Sequence, residues 1–153
     1  MIILFFGQPA SGKTTLADAL VLQMEKDHYS YDFVRIDGDK WREVTQNKDY
    51  SKDGRVTNLK SAFAMAKYLD NEGFTPVLSF VTPYKELRDY LCDGHDVVSI
   101  YLQYSEDRGR NDRFAKDFEE PELGADIVLN TSELGVEECI EKVVERVSVR
   151  KLL

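Results

Sequence analysis

The stretch Gly7-Gln-Pro-Ala-Ser-Gly12-Lys13-Thr14 sits directly behind the apolar run Met1–Phe6 and directly ahead of residues with helical spacing. It fits G-x-x-x-x-G-K-[ST] at every fixed position, and no other feature constrains the fold as strongly. Glycines let the backbone curl until successive amides point at one anion, and a helix that starts there adds its partial positive charge. Lys13 would reach the β and γ phosphates of ATP, and the Thr14 hydroxyl would ligate Mg²⁺. Gly7, Ala10, Ser11, Gly12, Lys13, Thr14 and Thr15 are therefore the expected nucleotide-binding set.

The rest of the chain repeats the same alternation. Met1–Phe6 is continuously apolar, as a central parallel strand should be. Thr14–Lys26 carries Leu16, Ala19, Leu20 and Met24 at helical spacing. Short strands are expected at 33–36, 75–81, 96–102 and 125–130. A helix is expected over Arg55–Asn71, and another from Pro83 through Leu91 with the proline in its first turn. A closing helix follows 125–130, opening on a Ser/Thr–Glu capping pattern in "TSELGVEE". Helices between apolar strands imply an α/β domain spanning 1–153, with a mostly parallel five-stranded sheet covered on both faces. Ser105–Glu122 is dense in charge and is the least ordered-looking stretch.

Composition excludes several classes. A net charge of −8 argues against broad binding to nucleic acid or anionic membrane, although a cleft on an acidic protein can still be locally basic. The apolar runs are too short to span a bilayer, and nothing at the amino terminus reads as a signal. Cys92 and Cys139 lie far apart without CxxC spacing, so idle thiols in a reducing cytoplasm are expected. His28 and His95 belong to no ligand-like cluster.

The strand at 75–81 ends in Thr82 with no carboxylate to hold a metal. The available acids follow the second strand, in "IDGDKWR". The carboxyl end of a strand next to the first opens into the same crevice. Asp37 and Asp39 are thus placed to face the γ phosphate, one orienting the loop and the other approaching an acceptor hydroxyl. An ordinary turn is the competing reading, because Asp-Gly-Asp is good turn chemistry. Arg42, Arg55 and Lys60 cluster in sequence, and Arg55 shares a helix face with Asn58 three residues on. A guanidinium grips phosphate or sulfate by two parallel hydrogen bonds.

"GQPASGKTT", "IDGDKWR", "YSKDGRVTNLK" and "SFVTPYKELR" together resemble the adenylyl-sulfate kinases in order and approximate spacing, and "ADIVLNTSELGVEECIEKVV" resembles their last strand and helix. The resemblance implies a P-loop NTPase-type three-layer α/β/α sandwich. It also implies transfer of the γ phosphate of ATP, with Mg²⁺, to the 3′-hydroxyl of adenosine 5′-phosphosulfate. On this match Asp39 stands beside the acceptor hydroxyl and the metal, so Thr14 and Asp39 are the expected metal ligands. Arg42 and Arg55 match arginines that hold the phosphosulfate, with Asn58 beside them. Tyr50 stands where the family has a phenylalanine against the substrate's adenine. Val81 and Thr82 occupy the Ile-Ser of the family's Phe-Ile-Ser-Pro-Tyr. The resemblance suggests a dimer.

The chain departs from the pattern at Lys40 and Trp41, at Gly54 and Thr57, and in a shortened lid at about 104–122. There Arg108, Arg110, Arg113 and Lys116 are candidates to close over ATP, with Arg110 expected to join Lys13 and Asp39 in catalysis. Phe114 or Phe118 is expected to supply a second ring around the adenine. Two other readings stay open: a related P-loop kinase acting on another nucleotide, nucleoside or polynucleotide 5′-hydroxyl, and a non-catalytic nucleotide-binding module.

Overall fold

The computed structural model describes residues 1–27, 32–121 and 123–151. Five strands alternate with helices: β1 (Ile2–Phe6), α1 (Lys13–Lys26), β2 (Phe33–Asp37), α2 (Gly38–Thr45), α3 (Lys52–Asn71), β3 (Thr75–Phe80), α4 (Lys85–Cys92), β4 (Val97–Gln103), β5 (Ile127–Asn130) and α5 (Val136–Lys151). A short 3₁₀ turn at Asn111–Arg113 is the regular element between β4 and β5. Strand order is β2-β3-β1-β4-β5, and every pairing is parallel.

β1 is central because all five of its side chains are apolar and buried. Successive side chains of a strand point to opposite faces, so Ile2, Leu4 and Phe6 join a core with Phe63, Leu78 and Leu87 on the α3–α4 side. Ile3 and Phe5 join Leu16, Leu20 and Val143 on the α1–α5 side. Truncating Phe5 or Phe6, each fully buried, would cost about 3–5 kcal/mol. Since all strands run the same way, the ends of β1, β2 and β3 deliver the phosphate loop, Asp37 and Val81–Thr82 to one rim.

Beyond shifts of one or two residues at strand ends and at the start of α1, four differences from the sequence reading have a clear cause. Residues 38–45 form α2 rather than a turn, because the Asp37 side chain accepts from the Asp39 and Lys40 amides and caps a helix there. α3 starts at Lys52, three residues early, since Ser51 Oγ accepts from the Gly54 amide at 3.2 Å. Pro83 lies ahead of α4, not in its first turn. Thr82 turns sharply at φ 46, and the Pro83 carbonyl accepts from the Glu119 amide at 2.8 Å, so the chain stays extended until Tyr84 caps α4. α5 starts only at Val136, after Gly135, whose amide donates to Glu138 Oε2 at 3.3 Å. The Thr131 hydroxyl does not cap it and donates to the Ser11 carbonyl instead.

Among the described residues no helix is long and apolar enough to cross a membrane, and no group of three or more His, Cys, Asp or Glu is arranged to hold a metal. His28 lies outside the described residues. His95 Nδ1 is 2.7 Å from Asp70 Oδ2. Both cysteines are free, Cys92 exposed and Cys139 buried.

Candidate functional site

The rim of the sheet holds a cleft of about 300 Å³, lined by the phosphate loop, the start of α2, the first turns of α3, the end of β3, and Arg110 and Arg113 from the segment after β4. Gly7 takes φ 150, and a Cβ there would sit 2.5 Å from the Leu102 carbonyl oxygen, so no other residue fits. Ala10 at φ 65 carries the strain of a left-handed non-glycine residue, a cost of roughly 1–2 kcal/mol. α1 begins at Lys13 behind Gly12 with no side-chain cap, which leaves its first amides for an anion. Ala10, Gly12, Lys13, Thr14 and Thr15 line the cleft, whereas Gly7 and Ser11 are buried behind it.

Lys13 Nζ donates to the Gln8 carbonyl at 2.8 Å and lies 3.4 Å from Ser11 Oγ. Burial pushes its pKa down from 10.5 to about 8, and Arg110 adds to the fall while Asp39 and Asp37 oppose it.

Asp37, at the end of β2, accepts from the Thr14 hydroxyl at 2.6 Å and the Ser79 hydroxyl at 2.7 Å. Burial alone would raise its carboxyl. The bonds from Thr14, Ser79 and the Lys40 amide, with Arg35 nearby, outweigh it and hold the group below its ordinary value. Arg35 reaches Ser79 Oγ at 3.1 Å and Asp18 at 2.8 Å, so a charged residue inside a strand supports the carboxylate from behind. Sequence reasoning missed both Arg35 and Ser79; a polar residue within each of two apolar strands was the available signal. Asp39, in the first turn of α2, is exposed on the cleft wall.

The other wall is basic. Arg42 Nη1 donates to Asn47 Oδ1 and to the Asp49 carbonyl, both at 3.0 Å, and its guanidinium lies 4.0 Å over the Tyr50 ring. Arg55 and Arg113 each stand 5.9 Å from that ring. Arg55 also donates to the carbonyls of Tyr50 at 3.0 Å and Arg113 at 3.2 Å. One turn along α3, Asn58 is 4% exposed, and its Oδ1 has no hydrogen-bond partner among the described residues. Val81 and Thr82 line the floor; the Thr82 hydroxyl is fully buried and donates to the Phe80 carbonyl at 3.3 Å.

Not every candidate joins the cleft. Arg110 and Arg113 line it, but Arg108 turns away to the Ala10 carbonyl at 2.9 Å and Thr131 Oγ1 at 3.0 Å. Lys60 and Lys116 are exposed and line no part of it. Phe118 stacks on Tyr101 at 5.9 Å and packs on the core, and Phe114 sits edge-on to Tyr104 at 6.4 Å. Neither ring faces the cleft, so the expected second ring around a base is absent from its lining. Five cations and two carboxylates line the site, which makes it locally basic on a chain of net charge −8.

A loop shaped for a phosphate tail, with carboxylates two strands away and a basic wall beyond them, suits the movement of a phosphoryl group between two bound molecules. The class is a P-loop phosphotransferase that acts on a hydroxyl. The model of the adenylylsulphate kinase family matches residues 1–116, and the chain belongs to that family. An adenylyl-sulfate kinase of Staphylococcus carnosus is 26% identical over all of this chain and 86% of its own length. A cytidine diphosphoramidate kinase of Campylobacter jejuni is 24% identical, covering 97% and 96% of the two chains. Among solved structures, the Mycobacterium tuberculosis APS kinase in complex with AMPPNP and APS superposes with a TM-score of 0.83 at 17% identity, covering 96% of each chain. That likeness is one of fold.

Proposed function

We propose that this chain transfers the γ phosphate of ATP to the 3′-hydroxyl of adenosine 5′-phosphosulfate, giving 3′-phosphoadenosine 5′-phosphosulfate. The observation that carries this reading is the pairing of three guanidiniums, Arg42, Arg55 and Arg113, with Asn58 Oδ1, which has no partner among the described residues, on the wall opposite the phosphate loop. An acceptor that carries both an anionic head and hydrogen-bond donors suits that wall.

In this reading Lys13 leaves the Gln8 carbonyl for the β and γ phosphates, and the free amides of α1 hold the rest of the tail. Asp37 holds the Thr14 proton, so the oxygen presents lone pairs to the cleft. Thr14, with Asp39 opposite, fits a divalent cation. Mg²⁺ bound there would neutralise phosphate charge. Asp39 orients the acceptor hydroxyl and takes its proton late in the transfer. Arg110 offsets negative charge on the transferring group. Arg42 and Arg55 fix the acceptor's anion, Tyr50 carries its base or ribose, and Asn58 accepts a bond from it.

A second reading keeps the reaction and changes the acceptor. On the acceptor side Tyr50 is exposed while the other lining ring, Phe80, is 3% exposed, and Arg42 already covers one face of Tyr50. That geometry also suits a nucleotide with a smaller base, and the Campylobacter jejuni relative is named for such a substrate. Coupled ADP release separates the two. Adenosine 5′-phosphosulfate is expected to outrun cytidine diphosphate derivatives, nucleosides and 5′-hydroxyl oligonucleotides by at least tenfold in kcat/KM. A cytidine compound in front would move the assignment to the second reading.

A further inference from the structure

We propose that Gln8 is a positioning residue through which the phosphate loop itself holds the lid arginines over the site. Its side-chain Nε2 donates to the Ala115 carbonyl at 2.9 Å, and its Oε1 accepts from the Ala115 amide at 3.0 Å. A primary amide has one donor edge and one acceptor edge, so it can engage both groups of a single peptide residue. Two bonds fix both the place and the orientation of the chain at Ala115, which is 3% exposed.

The contact is the last in a row. Along the phosphate loop, the Pro9 carbonyl accepts from the Tyr104 hydroxyl at 2.6 Å and the Ala10 carbonyl accepts from Arg108 at 2.9 Å. The lid is therefore tied to the loop at Tyr104, Arg108 and Ala115, and the arginines that line the cleft, Arg110 and Arg113, lie between the last two ties. Cutting the tie at Ala115 would leave those arginines on a longer span, held by Arg108, by the bond between Arg55 and the Arg113 carbonyl, and next by Phe118 on Tyr101 and the Glu119 amide on Pro83.

Gln8 also has a second link on its main chain. Its carbonyl accepts from Lys13 Nζ at 2.8 Å. The same residue thus touches the ammonium that a nucleotide would draw off and the peptide that anchors the lid. The inference concerns phosphoryl transfer by the family and does not depend on which alcohol accepts.

Trypsin gives a readout that needs no acceptor, since Arg108, Arg110, Arg113 and Lys116 are all cleavage sites in the lid. The wild-type chain, Q8L and Q8E are digested with and without AMP-PNP and Mg²⁺, and fragments are identified by mass. Q8L removes both bonds and is expected to raise cleavage after Arg110 and Arg113 roughly tenfold, with cleavage after Lys48 unchanged. Q8E keeps the bond from the Ala115 amide but sets a carboxylate against the Ala115 carbonyl, and should fall between. ADP release, with adenosine 5′-phosphosulfate or with water as acceptor, should show kcat down by about tenfold and the ATP KM within about twofold. If Q8L does not fold, Q8E alone decides by the same two measurements. Lid cleavage at the wild-type rate would overturn the proposal, and so would faster cleavage with kcat unchanged. Slow turnover of adenosine 5′-phosphosulfate by the wild type, with Q8L still raising lid cleavage, would instead count against the acceptor assignment.

Discussion

The Thr14 hydroxyl donates to Asp37 Oδ2 across 2.6 Å, joining the first turn of α1 to the end of β2. The proton is committed to the carboxylate, so the oxygen faces the cleft with lone pairs only. Ser79 and two backbone amides bind the same carboxylate, which leaves Asp37 little freedom to rotate. Asp37→Ala and Thr14→Val should each raise the Mg²⁺ concentration needed for half-maximal turnover by about 10–100-fold. Thr14→Ser should stay near wild type. A Mg²⁺ titration of the initial rate checks all three.

Asp39 lines the same cleft but spends no hydrogen-bonding capacity on capping α2, a task Asp37 performs. Asp39→Asn should therefore lower kcat by about 10²–10⁴-fold, the range for a general base. AMP-PNP affinity, measured by calorimetry, should change by no more than a few fold. Turnover equal to wild type would remove the assigned role.

Lys13 supplies a pH dependence with a definite sign. In the folded chain it loses its proton near 8, and when unfolded near 10.5. Between those values the unfolded chain binds more protons, so this group makes stability rise with pH across that window. ATP capture moves the other way, because a neutral amine no longer draws the phosphate tail. The value of kcat/KM for ATP should fall with a slope of one proton above about pH 8. Bound phosphate restores the charge, so kcat should hold to higher pH. Rates at saturating and limiting ATP from pH 7 to 10 test both limbs.

Gly54 lets the loop before α3 press against the helix. A Cβ there would lie 2.3 Å from both Asp49 Cγ and the Asp49 carbonyl oxygen. Gly54→Ala must push Asp49 outward, and with it the carbonyl that Arg42 holds and the neighbouring Tyr50. A stability loss of about 1–3 kcal/mol is expected from overpacking. The acceptor KM should rise several fold while the ATP KM stays put, as denaturant melts and two-substrate kinetics would reveal.

How much of this was legible in the sequence follows the reach of each interaction. β1, the phosphate loop and α1 could be read because their pattern is local and continuous. The sequence reading set the second strand beside the first, whereas β3 lies between them; Asp37 still reaches the loop because all these strands end on one rim, but its bond to Thr14 was not legible. α2 was hidden because an aspartate that caps a helix and one that opens a turn are the same residue in the same kind of sequence. The outward turn of Arg108 depends on Ala10 and Thr131, far away along the chain, and Gln8 meets a partner 107 positions on. Phe118 looked free to stack on a base, but Tyr101 had a prior claim on it.

The sheet's single direction has a historical consequence. In the proposed reading the loop that would hold the phosphate tail follows β1, while most of the parts that would select the alcohol follow β3 and β2, one and two places along the same rim. Mutations in residues 38–58 can therefore explore new acceptors while the donor half is inherited unchanged, and a family built this way can diversify its chemistry by rewriting one loop and two helical turns.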